Sequence, residues 1–169
     1  GCRGLCVYVA TLVDKVESNN DTEKLNVKRL SLLTPLCKAF MSEVGFESCN
    51  HAVQVFGGHG YISESEVEQQ VRDSRISSIY EGTNGIQALD FLGRKVIKDN
   101  QKTLKKWIEY IRQAANTSNS DLTNFSRQLI VYCDEWLNLT KGIMNNVQNS
   151  PDEIGAAAFD FLMYSGYVS

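Results

Sequence analysis

The sequence predicts an all-α fold, an antiparallel helical bundle with additional C-terminal helices. Apolar residues recur at i, i+3, i+4 and i+7 along nearly the whole chain. No stretch alternates as a half-buried strand would, and only two prolines interrupt 169 residues. With 43% apolar residues, a chain of that length can bury a real core in about one domain.

Each element has its own signature. Leu5, Val9, Leu12 and Val16 form one stripe on a first helix, which the polar run SNNDTE at 18–23 should stop. Leu36, Phe40, Val44, Ala52 and Val55 do the same for a second helix. Thr34 and Pro35 read either as its N-cap and first position or as a kink in a helix begun near Lys28, and Gly57 and Gly58 end it. Ser63 with Glu66 and Ser65 with Glu68 make two overlapping capping-box patterns ahead of Val67, Val71 and Ile79. A short helix over about 64–79 follows from them. Asn84 can cap the next helix with Gln87 closing the box; that helix carries Ile86, Leu89, Val96 and Ile97 and should fray near Asp99 and Asn100. Leu104, Trp107, Ile108 and Ile111 define another stripe, which NTSNSD at 116–121 breaks. A long helix then begins near Leu122 and keeps Phe125, Leu129, Cys133, Trp136, Ile143 and Val147 on one side. Ser150, Pro151, Asp152 and Glu153 combine an N-cap, a first-turn proline and first-turn acids, the strongest helix start in the chain.

Composition excludes several function classes. A net charge of −3 and a pI near 5.4 argue against a nucleic-acid partner, because phosphate neutralisation by a basic surface supplies most of that affinity. The longest apolar run falls far short of the ~20 residues of a membrane span. Five cysteines, an odd number without a C-x-x-C pair, make neither a disulfide framework nor a zinc motif and suit a reducing, cytoplasmic setting. His51 and His59 are the two histidines and form no metal-ligand pattern, and no nucleophile elbow is present. The N-x-S/T triplets at Asn116 and Asn138 read as chance, Arg72 and Asp73 as an ion pair, and Trp107 and Trp136 as core residues.

Two loops stand out, QVFGGHGY at 54–61 and YEGTNG at 80–85. A Gly-Gly-x-Gly run lets backbone N–H groups approach an anion, but by pattern alone it reads first as a helix C-cap followed by a tight turn. The strand that must precede a dinucleotide fingerprint is missing. Glu81 reads either as a solvated helix-end carboxylate or as an acid that Ile79 and Tyr80 could help to bury.

The run from Ala52 to Val96 contains, in order, Q-V-F-G-G-H-G-Y, R-D-S-R-I and I-Y-E-G-T-N-G-I-Q. It resembles the C-terminal helical domain of the acyl-CoA dehydrogenase family. The ending GIQALDFLGRK, with helices continuing past it, is similar to the branch that includes 3-methylmercaptopropionyl-CoA dehydrogenase. The resemblance implies residues 1–99 as the family's helical bundle and 100–169 as an additional C-terminal helical segment.

It also implies chemistry. Such enzymes oxidise an acyl-CoA thioester to its trans-2-enoyl form with FAD: a glutamate takes the α-proton while a hydride leaves the β-carbon for the flavin. The matching catalytic residue is Glu81. A carboxylate of ordinary pKa, about 4.3, is a poor base toward a thioester α-carbon, so desolvation should raise it while donors to the carbonyl oxygen make the proton more acidic. The Glu81 backbone N–H takes the place of one such donor, and Gly82 leaves room for the thioester. Gln54, Gly57, Gly58 and Thr83 match the FAD-binding positions, with the first three facing a flavin held mainly by a neighbouring subunit. A homodimer or homotetramer and an electron-transfer flavoprotein as acceptor are therefore expected. Gly85 departs from the glutamine or glutamate common at that position in the family.

Both ends read as cut, so the chain is expected to be part of a longer polypeptide and, alone, to be inactive and to bind FAD weakly or not at all. The alternatives are an acyl-CoA oxidase, which would share the base and cofactor, and a non-enzymatic helical assembly module.

Overall fold

Helices carry almost all of residues 1–18, 24–117 and 120–169, which the computed structural model describes, and among them there is no strand. In order they are α1 (Cys2–Glu17), α2 (Leu25–Phe56), α3 (Gly58–Tyr61), α4 (Val67–Arg75), α5 (Asn84–Leu89), α6 (Lys102–Asn116), α7 (Thr123–Asn149) and α8 (Glu153–Val168). The polar breaks expected at 18–23 and 116–121 fall largely on residues 19–23 and 118–119, outside the described ones.

Sequential neighbours run antiparallel. Cys6 meets Met41 while Tyr8 meets Arg29, so α1 and α2 count in opposite directions, and Gln101 with Met144 and Arg112 with Asp134 show the same for α6 and α7. Leu12, Leu32, Leu33, Leu36, Phe91, Leu92, Leu104, Trp136 and Leu162 lie in one core, so α6–α8 close over the same centre as α1, α2 and α5. Trp107 is buried beside Tyr8 and Tyr110, and the Arg29 guanidinium lies over the two rings of Trp107 and Tyr110.

The spine is α2. Of the two readings of Pro35, the structure takes the interior one: the helix starts at Leu25 and runs through the proline for 32 residues. Pro35 has no N–H to offer the preceding turn, but the Thr34 hydroxyl donates to the Leu30 carbonyl at 2.8 Å and Lys95 Nζ to the Ser31 hydroxyl at 2.7 Å. The side chains of α2 that enter the core stop at Phe40, while Val44 is half-buried and Val55 is 83% exposed. The distal half instead carries α4, whose Arg75 guanidinium lies over the Phe46 ring.

Several expected caps are replaced. Neither capping box near residue 65 forms: Ser65 donates to the Ile62 carbonyl and Glu66 takes a left-handed φ of 58°, so α4 is only nine residues long between two 3-10 turns, Ser63–Ser65 and Ile76–Ser78. Asp73 pairs with Gln69 Nε2 at 2.6 Å rather than with Arg72. Ser150 closes α7 and offers the Glu153 N–H its carbonyl, with no side-chain cap on α8. Leu122 and Phe125 are exposed, so the buried stripe of α7 starts later than its sequence suggests. Beyond α5 the chain widens into a π-helical stretch, Asp90–Ile97, closed by Lys98 N–H to the Gly93 carbonyl. Ala88, Phe91, Leu92 and Val96 are the buried set there, and Ile86 and Leu89 face outward.

All five cysteines are free. Burial, with the nearby Cys6 and Cys2 thiols adding to it, pushes the Cys37 thiol up to about 12. Iodoacetamide at mildly alkaline pH is therefore expected to label exposed Cys6 and spare Cys37, as peptide mass mapping would show, because the thiol rather than thiolate persists there. A methyl group at Gly166 would sit 2.2 Å from the Phe40 ring. Gly166→Ala should cost about 1–3 kcal/mol in a denaturant unfolding curve.

Candidate active site

The chain turns sharply between the end of the Ile76–Ser78 turn and α5. Tyr80 N–H still bonds the Ile76 carbonyl at 3.2 Å, after which Glu81 and Gly82 both take left-handed backbone conformations, φ 54° and 84°. For glutamate this is a sparsely populated region costing about 1–2 kcal/mol, so the surroundings must hold it. Three bonds do so. Gln87 Nε2 donates to the Glu81 carbonyl at 3.2 Å, the Thr83 hydroxyl accepts the Ile86 N–H at 3.3 Å, and Gln87 N–H bonds the Thr83 carbonyl at 3.0 Å.

The N-cap of α5 is thus Thr83, and Asn84, expected as the cap, is its first residue with the side chain turned inward. Only 4% exposed, Asn84 reaches α2: its Oδ1 accepts from Lys38 Nζ at 2.8 Å, and its Nδ2 donates to Glu43 Oε1 at 2.7 Å and to the Ser42 hydroxyl at 2.8 Å. Sequence reasoning missed this group. Its signal was available as Lys38, Ser42 and Glu43, three polar residues at helical spacing on a helix otherwise assigned to the core.

The Glu81 side chain is exposed and makes no ion pair among the described residues. The Glu81 N–H has no protein acceptor among them either. Ile79, Tyr80, Ile86 and Leu89 around it are each 42–58% exposed. The burial that Ile79 and Tyr80 made conceivable is not supplied by the described residues, none of which covers the turn's outer side. What stands ready is a free carboxylate and a free amide on a fixed backbone, ringed by apolar surface.

The second loop lies at the far end of α2. Gly57 caps that helix at φ 59° and ψ −142°, and Gly60 packs so close to α2 that a Cβ would meet the Val53 carbonyl oxygen at 2.6 Å. Gln54, Gly57 and Gly58 are exposed, with no atom within 4 Å of a Cβ on either glycine. Val55, Phe56 and Tyr61 stand exposed alongside this open backbone edge and the Gln54 amide. Since Asn84 is anchored at Ser42, the two loops are separated by about fifteen residues of α2, roughly 22 Å at 1.5 Å per residue. The structure therefore brings Glu81, Gly82 and Thr83 together and sets Gln54, Gly57 and Gly58 apart as a second group.

No group of three or more His, Cys, Asp or Glu side chains among the described residues could hold a metal ion, and no described helix is long and apolar enough to cross a membrane.

Comparisons with known proteins identify the family of the chain. The family model described as acyl-CoA dehydrogenase, C-terminal domain, matches residues 5–96. The chain is 38% identical over 112 residues to 3-methylmercaptopropionyl-CoA dehydrogenase of Ruegeria pomeroyi, covering 66% of this chain and 19% of that protein. It is 42% identical over 112 residues to a butyryl-CoA dehydrogenase of Syntrophomonas wolfei, covering 65% and 18%. The chain thus spans about a fifth of the length of these curated relatives. In fold it is similar to Caenorhabditis elegans ACDH-11, solved in complex with C11-CoA, with a TM-score of 0.75 at 18% identity over 99% of this chain and 29% of that one.

The turn itself can be tested first. At Gly82 a Cβ would stand 2.8 Å from Gln87 Nε2 on a backbone of φ 84°, whereas at Gly85 the nearest atom is 4.0 Å away. Gly82→Ala is expected to lose about 1–2 kcal/mol of stability and the Gln87 bond, and Gly85→Ala to lose nothing, in paired denaturation curves.

Proposed function

The chain belongs to the acyl-CoA dehydrogenase C-terminal domain family, and from that membership we propose that the protein of which it is part is an FAD-dependent acyl-CoA dehydrogenase, oxidising an acyl-CoA thioester to the trans-2-enoyl-CoA. The observation that carries this is the state of Glu81: a carboxylate and an N–H presented together by one pinned residue, neither with a partner among the described residues.

Glu81 is the catalytic base on this reading, taking the proton from the carbon next to the thioester carbonyl. Its N–H donates to the carbonyl oxygen as negative charge develops there, which stabilises the transition state more than the ground state. Gly82, lacking a side chain, lets the thioester lie against the main chain. The exposed Ile79, Tyr80, Ile86 and Leu89 receive the parts that close the site, and water is excluded when they are covered. FAD, when bound, supplies the acceptor for the β-hydride. Gln54, Gly57 and Gly58 hold its adenosine and pyrophosphate end, and Thr83 lies near the cofactor of its own site. On this reading the two groups contact two different FAD molecules, and the protein is a homodimer or homotetramer. Residues 1–99 act as the family's bundle and 100–169 as an extension closing its core. An electron-transfer flavoprotein is the acceptor, and the location is cytoplasmic.

The test is Glu81→Gln in the full-length flavoprotein. Acyl-CoA turnover should fall about 10²–10⁴-fold, the usual contribution of a general base, with the FAD absorbance retained. Unchanged turnover would remove Glu81 from the mechanism and favour a bundle used only for assembly; rapid reoxidation of the reduced flavin in air would instead mark an oxidase.

A further inference from the structure

Asn84 touches neither the open face of the turn nor the Glu81 carboxylate, yet its side chain is the most heavily bonded one in this part of the molecule. Its amide lies between two oppositely charged residues of α2. The oxygen faces Lys38 Nζ at 2.8 Å and the nitrogen faces Glu43 Oε1 at 2.7 Å, with the Ser42 hydroxyl within 3.1 Å of both and the Ala39 carbonyl 3.4 Å from the nitrogen. No other side chain of this size answers both charges. An aspartate would keep Lys38 but set a carboxylate against Glu43, and an alanine would leave both charged groups without this partner.

The position of this bridge matters more than its strength. Asn84 is the first residue of α5 and stands three residues after Glu81, with the left-handed Gly82 and the capping Thr83 between them. Gln87, one turn further on, holds the Glu81 carbonyl at 3.2 Å. The turn is thereby fixed to α5, and α5 is fixed to the rigid spine α2 through Asn84. We propose that Asn84 is a positioning residue for the base: by matching Lys38 and Glu43 it sets where the Glu81 backbone, and so its N–H and carboxylate, stand relative to the rest of the protein. This inference rests on the reading of Glu81 as the base.

The matched charges supply a specific test in the full-length flavoprotein. Asn84→Asp should lower kcat about tenfold to hundredfold, as displacement of a reacting group by about 1 Å does, with KM for acyl-CoA changed less than about threefold. Glu43→Gln alone should be near neutral, because its amide oxygen still accepts from Asn84. Combined with Asn84→Asp it should restore most of kcat, because the repulsion between the two carboxylates is gone. Hydrogen exchange supplies a readout independent of turnover: Asn84→Asp should speed exchange at residues 81–87 while α6–α8 keep their protection. A folded Asn84→Asp enzyme with full kcat and unaltered exchange would overturn the proposal. So would a loss of protection throughout the chain that Glu43→Gln does not repair, since that marks a general packing role. Glu81→Gln run alongside separates the two readings: if it keeps turnover, the base assignment fails whatever Asn84 does, whereas if it abolishes turnover and Asn84→Asp does not slow it, only the positioning role fails.

Discussion

The length of α2 against the depth of the core is the constraint on which the functional end depends. The helix has 32 residues, about 48 Å, but its core-entering side chains run only from Leu32 to Phe40. Full burial is therefore confined to one half; beyond it Met41 and Val44 pack against the edge of the core, Ser42 and Glu43 hold α5, and the distal turns meet α4 and α3. One predicted loop hangs from the distal tip of α2, and the other is tied to the middle of the helix through Asn84. Their separation along α2 is set by the helical rise, about 1.5 Å per residue.

Holding Glu81 in a left-handed conformation is the second consequence. A residue with a β-carbon stays there only where neighbours outweigh the local cost, and here those neighbours are polar. Hydrogen bonds have direction, which apolar packing lacks, so Gln87, Thr83 and Asn84 can set the direction of an amide and a carbonyl in a way that packed leucines would not. The helices that build the core are specified by volume, and the turn is specified by angle.

That difference explains what the sequence disclosed. Helical periodicity marked α1, α6 and much of α7 because burial of a stripe leaves a repeating trace: Leu12, Trp107, Ile108 and Trp136 are buried where the pattern put them. It misled at Val55, Ile86, Leu89 and Phe125, which share the same chemistry but lie on surfaces that this chain does not cover. Capping patterns fared worse, since Ser65, Asn84 and Ser150 all have the residue type of a cap and were drawn to other partners or displaced by one position. A cap contributes about 1 kcal/mol, so a buried contact or a tertiary bond of similar size can override it. The two glycine loops were legible because glycine records a backbone need directly: Gly57 and Gly82 both have positive φ. The Asn84 bridge was not, because Lys38, Ser42 and Glu43 lie more than forty residues away from it in sequence.

The exposed state of Glu81 bears on how its basicity would arise. In water a carboxylate is stabilised by solvent, and a base as weak as an ordinary glutamate abstracts a carbon-bound proton poorly. A carboxylate buried permanently inside a protein gains proton affinity, so it is protonated before any substrate arrives, and its desolvation weakens the fold. Leaving it on an open turn bordered by Ile79, Tyr80, Ile86 and Leu89 avoids both costs. On the proposed reading, dehydration comes with the covering of that apolar rim, so the carboxylate becomes a strong base only when the thioester is beside it. A fixed backbone is what makes such a late dehydration productive, because the group must already point the right way when the water leaves.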